Sequence, residues 1–131
     1  MGGSNVSAAR AHLGAVTGIL PLPCGATWIT AGSDSRLRLW DGLRWHNRLV
    51  TYAGVYNKGG RPRQLACFLD AACVFNPCGA TIQVLDMWRG AEVARLVPDS
   101  EEAVNAVAWN GLRGHLYSAA DDGRILVWGL P

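Results

Sequence analysis

The sequence predicts an all-β fold assembled from about three copies of one four-stranded antiparallel unit, the last copy lacking its outer strand. Three observations carry this expectation. The stretch Gly32-Ser33-Asp34-Ser35-Arg36-Leu37-Arg38-Leu39-Trp40-Asp41 sets a tight turn of small residues and an aspartate before an apolar strand that ends on tryptophan, and Ala119-Ala120-Asp121-Asp122-Gly123-Arg124-Ile125-Leu126-Val127-Trp128-Gly129 repeats the design. From Trp40 to Trp128 is 88 residues, two periods of the roughly 40 to 45 residues that separate propeller blades. A worn copy stands midway, where Cys78-Gly79-Ala80-Thr81-Ile82-Gln83-Val84-Leu85-Asp86 puts Leu85 in the place of tryptophan, at spacings of 45 and 43.

Each copy is preceded by two more strand-like runs: Ala15 to Leu20 and Thr27 to Ala31, Leu65 to Leu69 and Ala72 to Asn76, Val104 to Trp109 and His115 to Ala119. All are short, rich in branched or aromatic residues, and bounded by Gly, Pro, Asn or Asp. Outer strands are expected at Asn47 to Tyr52 and Glu92 to Val97, and only three residues follow Trp128. A propeller is a ring of about four to eight blades, and a single blade cannot bury both of its faces. The expected organisation is therefore a partial β-propeller, the C-terminal part of a chain of about 300 residues. Residues 1–11 form a flexible N-terminal segment, followed by blades at about 12–52, 65–97 and 100–131 and a basic inter-blade loop at 53–64.

Composition excludes several classes. The chain is 50% apolar and 17% charged, which supplies a core and argues against bulk disorder. Its net charge of +2 is too small to hold nucleic acid by bulk electrostatics, so no direct nucleic-acid partner is expected. Pro21 and Pro23 interrupt the longest apolar run, leaving nothing long enough to span a membrane. The opening Met1 to Arg10 resembles neither a signal peptide nor a blade strand, and Ser7 lies one place beyond the serine of a myristoylation motif. Cys24, Cys67, Cys73 and Cys78 lack the spacing of a zinc knuckle. Free thiols are expected, with Cys67 and Cys73 acting as small core residues, and neither metal nor cofactor is called for.

Hydroxyl, imidazole and carboxylate at Thr30, His12 and Asp34 invite a nucleophile-base-orienter reading. No oxyanion hole or shaped pocket accompanies them. Their placement relative to Trp40 instead resembles the WD-repeat family, and that resemblance implies a structural tetrad of His12, Thr30, Asp34 and Trp40 that ties the inter-blade loop to the tight turn. The third copy carries a partial tetrad, Ser118, Asp122 and Trp128, with Ser100 near the place of the histidine. In the second copy Phe75, Gly79 and Leu85 replace the three positions, so that blade is expected to hold together by packing alone. No catalytic residue is expected. The loop from Ala53 to Arg63 reads first as a solvated loop and alternatively offers Lys58, Arg61 and Arg63 to an acidic partner, and Trp45 beside Arg44 is either an interface anchor or packed under the outer strand.

The order of a good blade, a long loop bearing Asn57, a worn blade with Leu85 in place of the strand-ending tryptophan and a good blade is similar to the last three blades of the Cockayne syndrome A family. The stretches that carry the resemblance are Gly32 to Trp40, Arg48 to Asn57 and Gly79 to Val84. It implies a substrate receptor of a cullin-RING ubiquitin ligase, joined through the damaged-DNA-binding protein adaptor and serving transcription-coupled nucleotide-excision repair in the nucleus. It also implies four further repeats and an adaptor-binding helix upstream. The family's adaptor motif is only approximated, because Trp40-Asp41-Gly42-Leu43-Arg44 carries its arginine one place late. The alternatives are a WD-repeat scaffold of an RNA-processing or chromatin complex, or a truncated piece without function.

Overall fold

A computed structural model describes residues 10–23, 25–42, 46–57, 59–68, 70 and 72–129. Among these residues eleven strands form three antiparallel sheets. The first contains β1 (Val16–Pro21), β2 (Thr27–Gly32), β3 (Arg36–Asp41) and β4 (His46–Asn47), and the second β5 (Ala66–Phe68), β6 (Cys73–Cys78), β7 (Thr81–Asp86) and β8 (Glu92–Leu96). The third has three strands, β9 (Val104–Asn110), β10 (His115–Ala120) and β11 (Ile125–Gly129). Within each sheet the strands lie in chain order as an up-and-down meander, the arrangement of a partial propeller.

Burial follows from stacking. In β6 and β7 every interior position is buried, because the second sheet is covered on both faces. One face meets the first sheet through Ile29, Leu37, Leu39, Leu65, Val74, Leu85 and Met87. The other meets the third through Phe75, Ile82, Val84, Val107 and Leu116, with Trp109 and Trp128 packed alongside, and Trp109 stacks on Phe68 at 4.5 Å. By contrast β11 alternates exposed and half-buried residues, as a strand covered on one face should. Cys67 and Cys73 are half-buried and belong to opposite faces of the second sheet.

The inner ends of the three sheets are stitched together by the stretch that leads into β5. The Arg63 N–H donates to the Thr17 carbonyl at 2.9 Å, the Gln64 N–H to Asn105 O at 3.0 Å, and Val107 N–H to Gln64 O at 3.0 Å. A side chain at Gly18 would place its Cβ 2.3 Å from the Arg63 carbonyl, so the close approach of the first two sheets requires glycine there. The same stitching shortens β5. Gln64 would face Pro77 in the β5–β6 register, but Pro77 has no N–H to offer, and Gln64 pairs with β9 instead.

The expected outer strand from Asn47 to Tyr52 is corrected. Pairing with β3 ends at Asn47 with one further bond, from the Arg48 N–H to the Leu39 carbonyl, and Leu49 adopts a left-handed backbone with φ 59° that turns the chain away. The stretch beyond it joins the second sheet, where the buried Tyr52 hydroxyl donates to the Met87 carbonyl at 2.5 Å and Ala53 N–H to Gly90 O at 2.8 Å. A buried phenol must find an acceptor, and the turn after β7 supplies it.

Candidate functional site

The first blade gathers four sequence-distant side chains into one hydrogen-bonded chain. His12 is 3% exposed, with Nδ1 3.0 Å from Asp34 Oδ1 and Nε2 2.7 Å from Thr30 Oγ1. The Trp40 indole N–H donates to the same hydroxyl oxygen at 3.0 Å. An ionised carboxylate can only accept, so Nδ1 is assigned the imidazole proton; Nε2 then accepts the Thr30 O–H, and the threonine oxygen accepts from Trp40. Each donor of the chain, the His12 Nδ1–H, the Thr30 O–H and the Trp40 indole N–H, finds an acceptor. Burial pushes the Asp34 carboxyl up, but the Leu13 N–H and the His12 imidazole outweigh it and hold it below the usual carboxylate range.

Local sequence builds this geometry. Gly32 leaves the room, since a Cβ there would lie 2.5 Å from the imidazole. Ser33-Asp34-Ser35 forms a three-residue turn whose last residue is left-handed, φ 60° at Ser35, a common hairpin connection. The turn aims Asp34 back at the incoming chain, where Leu13 N–H reaches Asp34 Oδ2 at 3.1 Å and Ala15 N–H reaches Ser33 Oγ at 2.9 Å. Thr30 is 3% exposed and its oxygen is bonded on both sides, leaving no approach for a substrate carbonyl.

The third blade repeats half of the arrangement. Trp128 Nε1 donates to Ser118 Oγ at 2.9 Å. Asp122 turns instead to Arg124, accepting from its backbone N–H and from Nε at 2.9 Å each. Arg124 also reaches Asp99 at 2.7 Å. Between Ser100, Ser118 and Asp122 lies a small gap, at the place the imidazole fills in the first blade.

The second blade departs from the expectation of packing alone. Its hairpin is one residue shorter, a two-residue turn at Gly79-Ala80 with φ 59° at Gly79, so β6 is shifted by one relative to β2. Asn76, not Phe75, therefore occupies the place of Thr30 and Ser118. Asn76 Nδ2 donates to Gln83 Oε1 at 3.0 Å, and the buried Gln83 Nε2 donates to Ala53 O at 2.9 Å and Glu92 Oε1 at 3.0 Å. An amide pair thus satisfies the interior that hydroxyl and indole satisfy elsewhere.

Of the candidate partner contacts, Arg44, Trp45 and Lys58 lie outside the described residues, as do Cys24 and residues 1–9. Arg61 is at the surface but engaged, its guanidinium bidentate on Asp121 at 2.7 and 2.8 Å while Asn105 Nδ2 holds the same carboxylate at 2.6 Å. Arg63 is corrected: it is 6% exposed, donates to the Val104 carbonyl and keeps an unpartnered buried Nε. Burial pulls its pKa down. Packing between the second and third blades draws this arginine inward. The residue that organises this loop is Asn57. Its amide bonds Arg61 O at 2.9 Å and Thr17 Oγ1 at 3.3 Å, and its N–H reaches Ser35 Oγ at 2.8 Å. An Asn ahead of Gly-Gly was the available signal.

No helix among the described residues is long and apolar enough to cross a membrane. The family model "WD domain, G-beta repeat" matches residues 3–41 and 92–129, the two stretches that contain the tryptophan-ended copies. The chain is 37% identical over 125 residues, 95% of its length, to "WD repeat-containing protein ATCSA-1" of Arabidopsis thaliana, and spans 28% of that protein. With three meandering sheets at the expected period and the family matched across more than half of its length, the chain belongs to the WD40 repeat family.

Proposed function

We propose that this chain is a non-catalytic scaffold for protein interaction, and that it serves as part of the substrate-receptor subunit of a cullin-RING ubiquitin ligase in nuclear transcription-coupled nucleotide-excision repair. One observation carries the non-catalytic half: the most reactive-looking group, the Thr30 hydroxyl, is closed between His12 and Trp40 with both hydrogen-bonding directions spent. The tetrad is accordingly a brace of the first of three successive blades, which run at about residues 12–47, 65–97 and 100–131, the first ending short of 52 because Leu49 turns the chain to the second sheet. The ligase half rests on the resemblance to the Cockayne syndrome A family, in particular the long Asn57-bearing loop before a blade whose third strand ends on Leu85 where the others end on tryptophan. Such a receptor transfers no ubiquitin itself; it contributes proximity and orientation.

Affinity capture of the native protein carrying this chain, from nuclei before and after ultraviolet irradiation, tests the reading. Recovery of the damaged-DNA-binding protein adaptor and a cullin supports it. Recovery of an RNA-processing or chromatin complex in their place assigns the chain to another scaffold.

A further inference from the structure

We infer that the slot beside β3 is a docking site for an extended acidic peptide, which adds to the first sheet as a short strand. This deepens the scaffold reading, on which it rests, by naming a surface and a partner chemistry.

The argument begins with hydrogen-bond alternation. Arg48 N–H donates to the Leu39 carbonyl at 2.7 Å, so Leu39 directs its backbone groups toward the outer side of β3. Residues two apart in a strand point the same way, so Leu37 also presents its N–H and C=O outward. Pairing with β4 covers only Trp40 and Asp41. Among the described residues, no strand lies opposite Leu37.

The chain that should have covered this edge is the segment that Leu49 turns aside. What opens between them is a cavity of about 380 Å³, walled by Ser35 to Arg38 on one side and Leu49 to Tyr52, Gly54 and Val55 on the other. That volume lies within the range of ligand-binding clefts. An unpaired strand edge within a cleft is the geometry of β-strand addition, in which main-chain bonds give affinity and flanking side chains give selectivity.

The flanking charge selects the occupant. Arg36 and Arg38 line the cleft and no Asp or Glu does. Arg36 is exposed, while Arg38 Nε is fixed on the Ala11 carbonyl at 3.1 Å. A peptide alternating acidic and branched apolar residues would pair with Leu37 through its backbone and set its carboxylates against the arginines.

The probe is a fluorescein-labelled hexapeptide alternating Glu and Val, followed by anisotropy and by amide hydrogen exchange of the 131-residue chain. Saturable binding is expected, with exchange at Leu37 slowed about tenfold and with Arg36→Glu weakening binding about fivefold. Absence of binding, binding that leaves Leu37 exchange unchanged, or equal binding of a Lys-Val peptide would overturn the inference. So would concentration-dependent protection of Leu37 without peptide, which would assign the slot to a second copy. Any of these results leaves the nuclear capture experiment to judge the scaffold and ligase readings independently.

Discussion

At the residue scale, His12 joins two chain segments 22 residues apart through an imidazole with both nitrogens bonded. Removing it leaves Thr30 and Asp34 short of a partner in a buried setting. His12→Ala should therefore lower unfolding free energy by about 1–3 kcal/mol, read from urea denaturation of the purified chain. Asp34 adds a pH dependence. Its folded-state pKa lies below the value of 3.8 expected when unfolded, so the unfolded chain binds more protons in acid. The Asp34 contribution is thus fully present above about pH 4 and is lost as pH falls through the folded value. Asp34→Asn should flatten this acid limb of the stability profile. Tyr52 offers a third check: burial, then the Asp86 charge, pushes its phenol pKa up, and its hydroxyl satisfies the Met87 carbonyl. Tyr52→Phe should cost about 1 kcal/mol in thermal or urea unfolding.

At the element scale, turn length decides which residues take equivalent places. Phasing on Trp40, Leu85 and Trp128 located all three copies, and the apolar runs located every inner strand to within a residue or two. It assigned Phe75 to the Thr30 position because the missing turn residue in the second hairpin leaves no mark in the spacing of the last strand. Gly79-Ala80 was the only local sign, a glycine at the first position of a two-residue turn. Asn76→Ala should consequently destabilise the second blade by about 1–3 kcal/mol, since Gln83 would be buried with its carbonyl unpaired. The same amide exchange experiment that reads Leu37 would show weaker protection spreading through β6 and β7. The short β4 was illegible for a different reason. Asn47 to Tyr52 has strand composition, and what diverts it is tertiary: the chain turns at the left-handed Leu49 and bonds the second sheet through the Tyr52 hydroxyl and the Ala53 N–H. Gly18 was likewise unreadable, because its function is to admit a carbonyl 45 residues away in sequence.

At the scale of the whole molecule, the three sheets form one stack in which the second blade is the best buried. Its two faces join the cores shared with the first and third blades, and the Asn76–Gln83 amide pair stands where hydroxyl and indole meet in the other two. Gly18→Ala should loosen this stack by forcing β1 away from Arg63. Cooperativity would suffer before any single sheet does, visible as a lower m-value in urea. The partner identity belongs to this scale as well, and no residue pattern within the chain spells it out. What the chain does express is a polar network whose bonds join the incoming segment, the hairpin turn, β2 and β3 of the first blade, and which we propose braces that blade. The most direct measurement of that claim is urea denaturation of Thr30→Val beside partner capture by the folded variant. A loss of about 1–3 kcal/mol, with capture retained per folded molecule, is the expected result. Unchanged stability with partner capture or a chemical turnover abolished would contradict it.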